Sequence, residues 1–486
     1  MFIVLSSFLI ILFVGCESIV EKDCYHNDIL ENHTNVDNIQ INTIATGSGF
    51  SLFIDENNNL FAWGRNDYGQ LGDGTATSSN QLVFVMSDVA SVSSDSNHVM
   101  AIRKDGSLWA WGNNEAGQLG DGTTTNRYDP VHIMDDVVFV NAASRYTMAI
   151  KNDGTLWAWG NNNSGQIGNG TVTNTYNPVL IMDDVLTVSG LTRTTMAIRS
   201  DGSLWAWGVT DFIGFLEDSY ELDLYPIRIA YDVTSVSAGV FYAAMIKDDD
   251  TLWTWGTGFA GVLGNGMIDR RDPQHISDDI FNVAAGGTMT MAVTTDGVLL
   301  TWGGNFRGEL GDGTTTDRDF PIPIMHNIVA VSNGIRNSLA LKTDGSLWGW
   351  GTFEHPLYGS DLIYGDNMFP VRIVENVMLP TIIPSISDSW DDFLGDPTFP
   401  SADHPLIGVW EREDDSNVRY IFRMTGEGQS DGMIMSTPFT WRVGDNQLAV
   451  YTWHLNRTER IFTIEDNVLI MEGHPLPDSS YRFIRQ

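Results

Sequence analysis

The stretch GSLWAWGNNEAGQLGDGTTT, Gly106 to Thr125, places five glycines and two tryptophans close together. Glycines so spaced can aim backbone N–H groups at a phosphate, and indoles can stack on a ligand ring, so a binding loop is the first chemistry to test. A phosphate loop occurs once and is followed by Lys-Ser/Thr. Here no such pair follows, and the glycine pattern recurs along the chain. The ten histidines are scattered without metal-ligand spacing, and neither His-Glu-x-x-His nor Cys-x-x-Cys occurs. No strand-to-helix nucleophile elbow is expected. With 62 Asp and Glu residues some carboxylate pair always looks catalytic, so none is taken as such. The expectation is a non-enzyme without cofactor or resident metal. Calcium at the Asp-Gly turns stays open, although the acidic ladder of an EF-hand is missing.

What positions these residues is a repeat. The pentapeptide LWAWG stands at 108–112, 156–160 and 204–208, with variants at 60–64, 252–256, 299–303 and 347–351. The second tryptophans are Trp63, Trp111, Trp159, Trp207, Trp255, Trp302 and Trp350, spaced by 48 residues except for one interval of 47. Each unit predicts four short antiparallel strands. In the third unit these are a β-branched run over 136–140, an alternating run over 147–151, an Asn-Asp-Gly turn (152–154) read as a two-residue hairpin, the return Leu156–Gly160, and a last strand starting at Pro178. Trp157 and Trp159 fall on one strand face, where they are expected to pack against the next unit. Four strands per unit describe a propeller blade, so the fold class is all-β: a seven-bladed β-propeller over 36–378.

The string D-V-x-x-V-[SA]-x-G, followed by M-A-I-K-x-D-G-x-L-W-A-W-G-x-N-x-x-G-Q-L-G-D-G-T, resembles the regulator of chromosome condensation repeat family. The resemblance implies a closed seven-bladed propeller. In the family such propellers serve as exchange factors for a small GTPase and, in a secreted bacterial branch, as inhibitors of β-lactamases. The chromatin-linked activity does not transfer to this acidic chain.

A binding site built on repeats shows as positions that vary while their neighbours hold the fold. Counted from Ile44 and its equivalents, the fifth residues are Gly49, Asn97, Arg145, Arg193, Phe241, Thr288 and Arg336. The sixth are Phe50, His98, Tyr146, Thr194, Tyr242, Met289 and Asn337. Equivalent loops lie on one propeller face, so these form a ring of arginines and aromatics, the types enriched at protein interfaces. Two readings stay open: an interface, or a plug in which the sixth residue fills the inner turn. The fourth and seventh units lack the glycine turn and carry Phe212, Phe215, Tyr220, Tyr225, Tyr358 and Tyr364 instead, as anchors or as substitute packing.

The flanking segments bound where the protein works. Phe2–Val14 is an apolar run of signal-peptide length ending at Gly15-Cys16, which resembles a bacterial lipobox with Cys16 as the lipidated residue. That makes 1–16 a signal peptide and 17–35 a tether, for a surface or periplasmic lipoprotein, or alternatively a secreted one. A disulfide to Cys24 requires an unlipidated Cys16. Residues 379–405 form a Pro-rich acidic linker, and the strand pattern of 406–486 weakly resembles a small lipocalin-like β-barrel. A net charge of −36 without a basic run excludes nucleic acid and leaves the membrane to the lipid anchor alone. The expected function is non-catalytic binding of a protein partner by a monomer. The alternatives are inhibition of an extracellular enzyme such as a β-lactamase, or binding of carbohydrate or cell wall. The last is disfavoured because twelve of the sixteen tryptophans sit at repeat positions.

Overall fold

The structure, a computed structural model, describes residues 42–209, 222–266, 269–334, 336–352 and 366–380, and strands between Gly408 and Arg485. Seven four-stranded antiparallel sheets follow one another, each paired in sequence order. In blade 2 the strands are Val89–Asp95, His98–Arg103, Leu108–Gly112 and Arg127–Met134; the other blades open at Ile44, Val137, Val185, Val233, Ile280 and Ile328. The innermost strand of each blade packs beside those of its two neighbours, and that of blade 1 meets that of blade 7, so the ring is closed. The chain is a seven-bladed all-β propeller.

Closure has a further element. The bridge Asp55–Val377 and the bond from Met378 N–H to the Ile54 carbonyl (2.9 Å) bring the chain after blade 7 back onto blade 1. Val377 there holds the place that Val89 holds in blade 2, opposite Arg103. The inner strand of blade 1 is thus shared between Val377-Met378 and Ile44–Thr46, and no open edge remains at the seam.

The second strand of each blade is apolar at both parities because the adjoining blades cover both its faces: His98–Ile102 and Tyr146–Ile150 are buried throughout. The second tryptophan of each third strand is fully buried, at 0–1% exposure in all seven blades. Trp159 packs among Met100, Ile102, Leu108, Ala110 and Leu119, residues of the preceding blade, not of the next one as expected. Removing one such side chain costs about 3–5 kcal/mol.

The glycine stretch is the socket for that tryptophan. Gly120 has φ +79°, and a Cβ there would lie 2.5 Å from Trp159 Nε1. Gly72, Gly168, Gly264 and Gly311 face Trp111, Trp207, Trp302 and Trp350 in the same way, at 2.6–2.8 Å. The indole N–H then donates to the carbonyl two residues earlier, Trp159 to Gln118 at 2.9 Å. Buried Asn114 organises the loop: its amide N–H groups donate to Asp121, Thr123 and Thr125, while its oxygen accepts from Leu119 N–H. Asp121 has both oxygens engaged, by Asn114 and Thr123 on one side and Arg127 on the other. The loop is a self-satisfied polar cage, repeated around Asn66, Asn162 and Asn305.

Two local expectations need correction. The 152–154 connection is a three-residue loop, since Lys151 N–H reaches the Thr155 carbonyl (3.0 Å) and Gly154 N–H the Lys151 carbonyl (2.9 Å). A type I turn ending in a left-handed glycine produces that geometry. The last strand of blade 3 starts at Thr175, three residues before Pro178, because an outermost strand leaves the proline without a ladder bond to make. Beyond the propeller, the nine described strands between Gly408 and Arg485 pair in one antiparallel sheet whose edges are Met433–Ile434 and Phe439–Gly444. No described pairing joins those edges into a barrel. Among the described residues no helix is long and apolar enough to cross a membrane.

Candidate functional site

The first loop of every blade lies on the same propeller face as the residue that follows the Trp-Gly strand. In all seven blades the carbonyl of the fifth-position residue accepts the N–H that follows the Trp-Gly strand: Gly49 from Arg65, Asn97 from Asn113, Arg145 from Asn161, Arg193 from Val209, Phe241 from Thr257, Thr288 from Gly304, and Arg336 from Thr352, at 2.7–3.0 Å. Main chain therefore fixes the ring that the repeat comparison singled out.

Its two halves face opposite ways. Arg145, Arg193, Phe241 and Arg336 are exposed, and Asn97 and Thr288 are partly so. Every sixth-position side chain is buried instead: Phe50, His98, Tyr146, Thr194, Tyr242, Met289 and Asn337 are at most 5% exposed. These open the second strand, which is covered on both faces, so they meet the next blade and not a partner. His98 Nε2 bonds Thr147 Oγ1 (3.1 Å), the Tyr146 hydroxyl reaches Thr195 (3.0 Å), Tyr242 reaches Thr290 (2.8 Å), and Asn337 donates to Ser51 across the seam (3.2 Å). Thr147 donates its own hydrogen to the Gln118 carbonyl (2.7 Å), which assigns the donor role to His98 Nε2. Phe50, His98, Tyr146, Tyr242 and Met289 are thus inter-blade plugs. An enzyme clamp made of Phe50, Tyr146, Phe241 and Tyr242 keeps only Phe241 at the surface.

Burial sets the titration of the inner groups. It pushes the His98 imidazole down to about 3, so the ring is neutral, and pushes the Tyr146 and Tyr242 phenols up. Asp95, opposite His98 in the blade 2 hairpin, is pushed up to about 6 by burial, opposed by bonds from Ser96. The His98–Thr147 pair has the residue types of a base and a nucleophile, but both side chains are sealed from solvent.

On the exposed side, blades 1–3 surround a polar depression of about 160 Å³ lined by Tyr68, Asn97, Glu115 and Arg145 among others. Arg145 bonds Glu115 at 2.8 Å, and Arg65 bonds Asp67 at 2.5 Å. Blades 5 and 6 carry Phe259 and Phe306 at the matching loop tips, 69% and 76% exposed. Neither belongs to the first loops or to the third loops of the fourth and seventh units, the positions singled out from the repeats. The signal is the third residue after Trp-Gly: Asp67, Glu115, Asn163, Phe259, Phe306. Tyr225 is exposed on the outer strand of blade 4, whereas Cys16, Phe212, Phe215, Tyr220, Tyr358 and Tyr364 lie outside the described residues. No cluster of three metal-binding side chains occurs among the described residues. A Gly-x-Ser-x-Gly string does stand at Gly428–Gly432, but Ser430 pairs with Met433 across a hairpin, which is not a strand-to-helix elbow.

Two profiles of the regulator of chromosome condensation (RCC1) repeat match the chain, one over 57–102, 105–150, 153–198 and 296–341, the other over 41–70, 89–118 and 137–166. The chain carries RCC1 repeats on a seven-bladed propeller. No curated protein matches it as a relative. Among solved structures, human WBSCR16 superposes with a TM-score of 0.55 at 23% identity, covering 61% of this chain and 84% of that one. Prp20p from Saccharomyces cerevisiae, described with its binding to Gsp1p and histones, gives 0.60 at 17% identity over 72% of this chain and 91% of that one. The yeast protein is also known bound to Kap60. At such identities the likeness to this RCC1-repeat chain is one of fold.

Proposed function

We propose that this protein is a non-catalytic binding protein whose propeller loop face engages a protein partner outside the cytoplasm, held at a membrane through a lipid on Cys16. The observation that carries the reading is the contrast within one ring: main chain fixes every fifth-position residue identically, yet the side chains vary between Arg, Phe, Asn and Thr. Variation on a rigid frame is what a binding surface needs, and arginine with aromatics supplies its anchors. That Prp20p is described by the proteins it binds supports the class of function, not the partner.

The test is affinity capture from envelope and extracellular extracts, using the full chain and its triple variant Arg145→Glu, Phe241→Ser, Arg336→Glu. All three side chains are exposed, so the melting temperature is expected to stay unchanged. A partner held by the native chain and lost by the variant supports the loop face; equal capture by both contradicts it. For the anchor, Cys16→Ser is expected to abolish fatty-acid labelling and move the protein to the soluble fraction. Unchanged labelling would refute the lipid.

A further inference from the structure

The loop face is not equivalent around its circumference. At the third position after Trp-Gly, blades 1–3 carry Asp67, Glu115 and Asn163, while blades 5 and 6 carry Phe259 and Phe306, the two most exposed large apolar side chains among the described residues. Such residues at a loop tip gain nothing for the fold.

These phenylalanines belong to one patch. The Phe241 carbonyl accepts the Thr257 N–H at 2.8 Å, which sets Phe241 beside the start of the Phe259 loop. A Cβ on Gly304 would lie 3.4 Å from Ala260 Cβ and 3.3 Å from Thr288 Cβ, so the Phe259 and Phe306 loops adjoin. The Arg307 guanidinium lies 5.3 Å from the Phe306 ring centroid.

Charge distinguishes the two halves as well. In blades 1–3 the tip cations are cancelled: Arg65 by Asp67 and Arg145 by Glu115. The tips at 239–241, 257–261, 286–288 and 303–308 carry no carboxylate; Glu309, which follows the last of them, is buried and accepts the Arg307 N–H at 2.6 Å. Exposed Arg193 and Arg336 flank them, without an ion pair among the described residues. In a chain of net charge −36, described tips without an exposed carboxylate, with arginines around three exposed aromatics, are a local reversal of sign among the described residues. An acidic partner is repelled by the rest of the chain and meets a favourable local potential at this sector.

We propose that Phe241, Phe259 and Phe306, with Arg193, Arg307 and Arg336, form a docking sector for an acidic protein segment that carries apolar side chains among its carboxylates. This rests on the protein-binding reading above and adds the sector and the chemistry of its occupant. The apolar side chains cover the phenylalanines, and the carboxylates face the flanking guanidinium groups.

The test pans the full-length protein against a display library of short random peptides. The native chain is expected to enrich peptides that are acidic and carry aromatic or aliphatic residues, with binding that weakens as salt rises. Phe259→Ser with Phe306→Ser is expected to weaken those peptides roughly tenfold or more. Arg193→Glu with Arg336→Glu is expected to remove the acidic preference. Acidic peptides that bind the phenylalanine variant unchanged overturn the sector while leaving protein binding intact. Enriched peptides without acidic bias overturn the charge argument, as does binding to phosphatidylglycerol vesicles in place of peptides. No enrichment at all overturns this proposal together with the reading beneath it.

Discussion

Asp95 is where a single carboxylate and its surroundings disagree most. Its equivalents in the other blades are Gly47, Ala143, Leu191, Gly239, Gly286 and Gly334, all uncharged. Neighbouring His98 is neutral and brings no compensating cation. Because the folded pKa is raised from 3.8 to about 6, the folded state holds the proton more tightly than the unfolded chain does. Stability from this group is therefore complete below pH 3.8 and lost as pH rises through about 6. Asp95→Asn is expected to be more stable than the native chain at pH 8, by on the order of 1–3 kcal/mol because part of the side chain still meets water. The two should coincide at the acid end of the profile. Chemical denaturation across that range reads the difference, and a gain that persists under acid conditions would contradict the assignment. The acidic side chain itself was visible in the sequence. Its environment was not, since that depends on seven inner strands converging.

At the scale of the element, the socket loop replaces ligand chemistry as the account of the glycines. Gly120→Ala forces a Cβ against the Trp159 indole at positive φ, and the combined clash and backbone strain are expected to cost about 2–4 kcal/mol. Gly106→Ala has the same sign of φ (+81°) but its nearest neighbour is 3.6 Å away, so only the strain remains, about 1 kcal/mol. Equal losses in the two melting curves would contradict the socket. Blade number and strand order were legible because tryptophans recur at a fixed interval and strands alternate in a two-residue period. The ring residues were harder. Arginine, histidine and tyrosine suit an interface and an inter-blade plug equally by type, and only strand position separates them. The sixth position opens a strand covered on both faces; the apolar run at both parities in Val99-Met100-Ala101-Ile102 was the available sign. The shared seam strand was legible too, in Asn376-Val377, which repeats the Asp/Asn-then-Val/Ile start of the inner strands of blades 2–7. Asn376 has φ +62°, as Asp88 (+58°) and Asp136 (+64°) have at the same place.

For the whole molecule, closure leaves two unlike faces. One carries three-residue hairpins such as Asn152–Gly154, nearly the same in each blade; on the other, the described loop residues diverge from polar and ion-paired in blades 1–3 to Phe241, Phe259, Phe306 and Arg307 in blades 5 and 6. Fold strength is distributed around the ring, through seven buried tryptophans and the hydroxyl and amide bonds between blades, so the loop tips are free to vary without loss of stability. The claim that function resides on one face is tested most directly by site-specific photo-cross-linking with the full-length protein in intact cells. The photoreactive residue is placed at Phe241 or Phe306 on the loop face, and at Asp153 or Asp249 on the hairpin face. One shared protein adduct is expected from both loop-face sites and none from the hairpin sites. Adducts from Asp153 or Asp249 with the loop face bare, or none from any site, would contradict it.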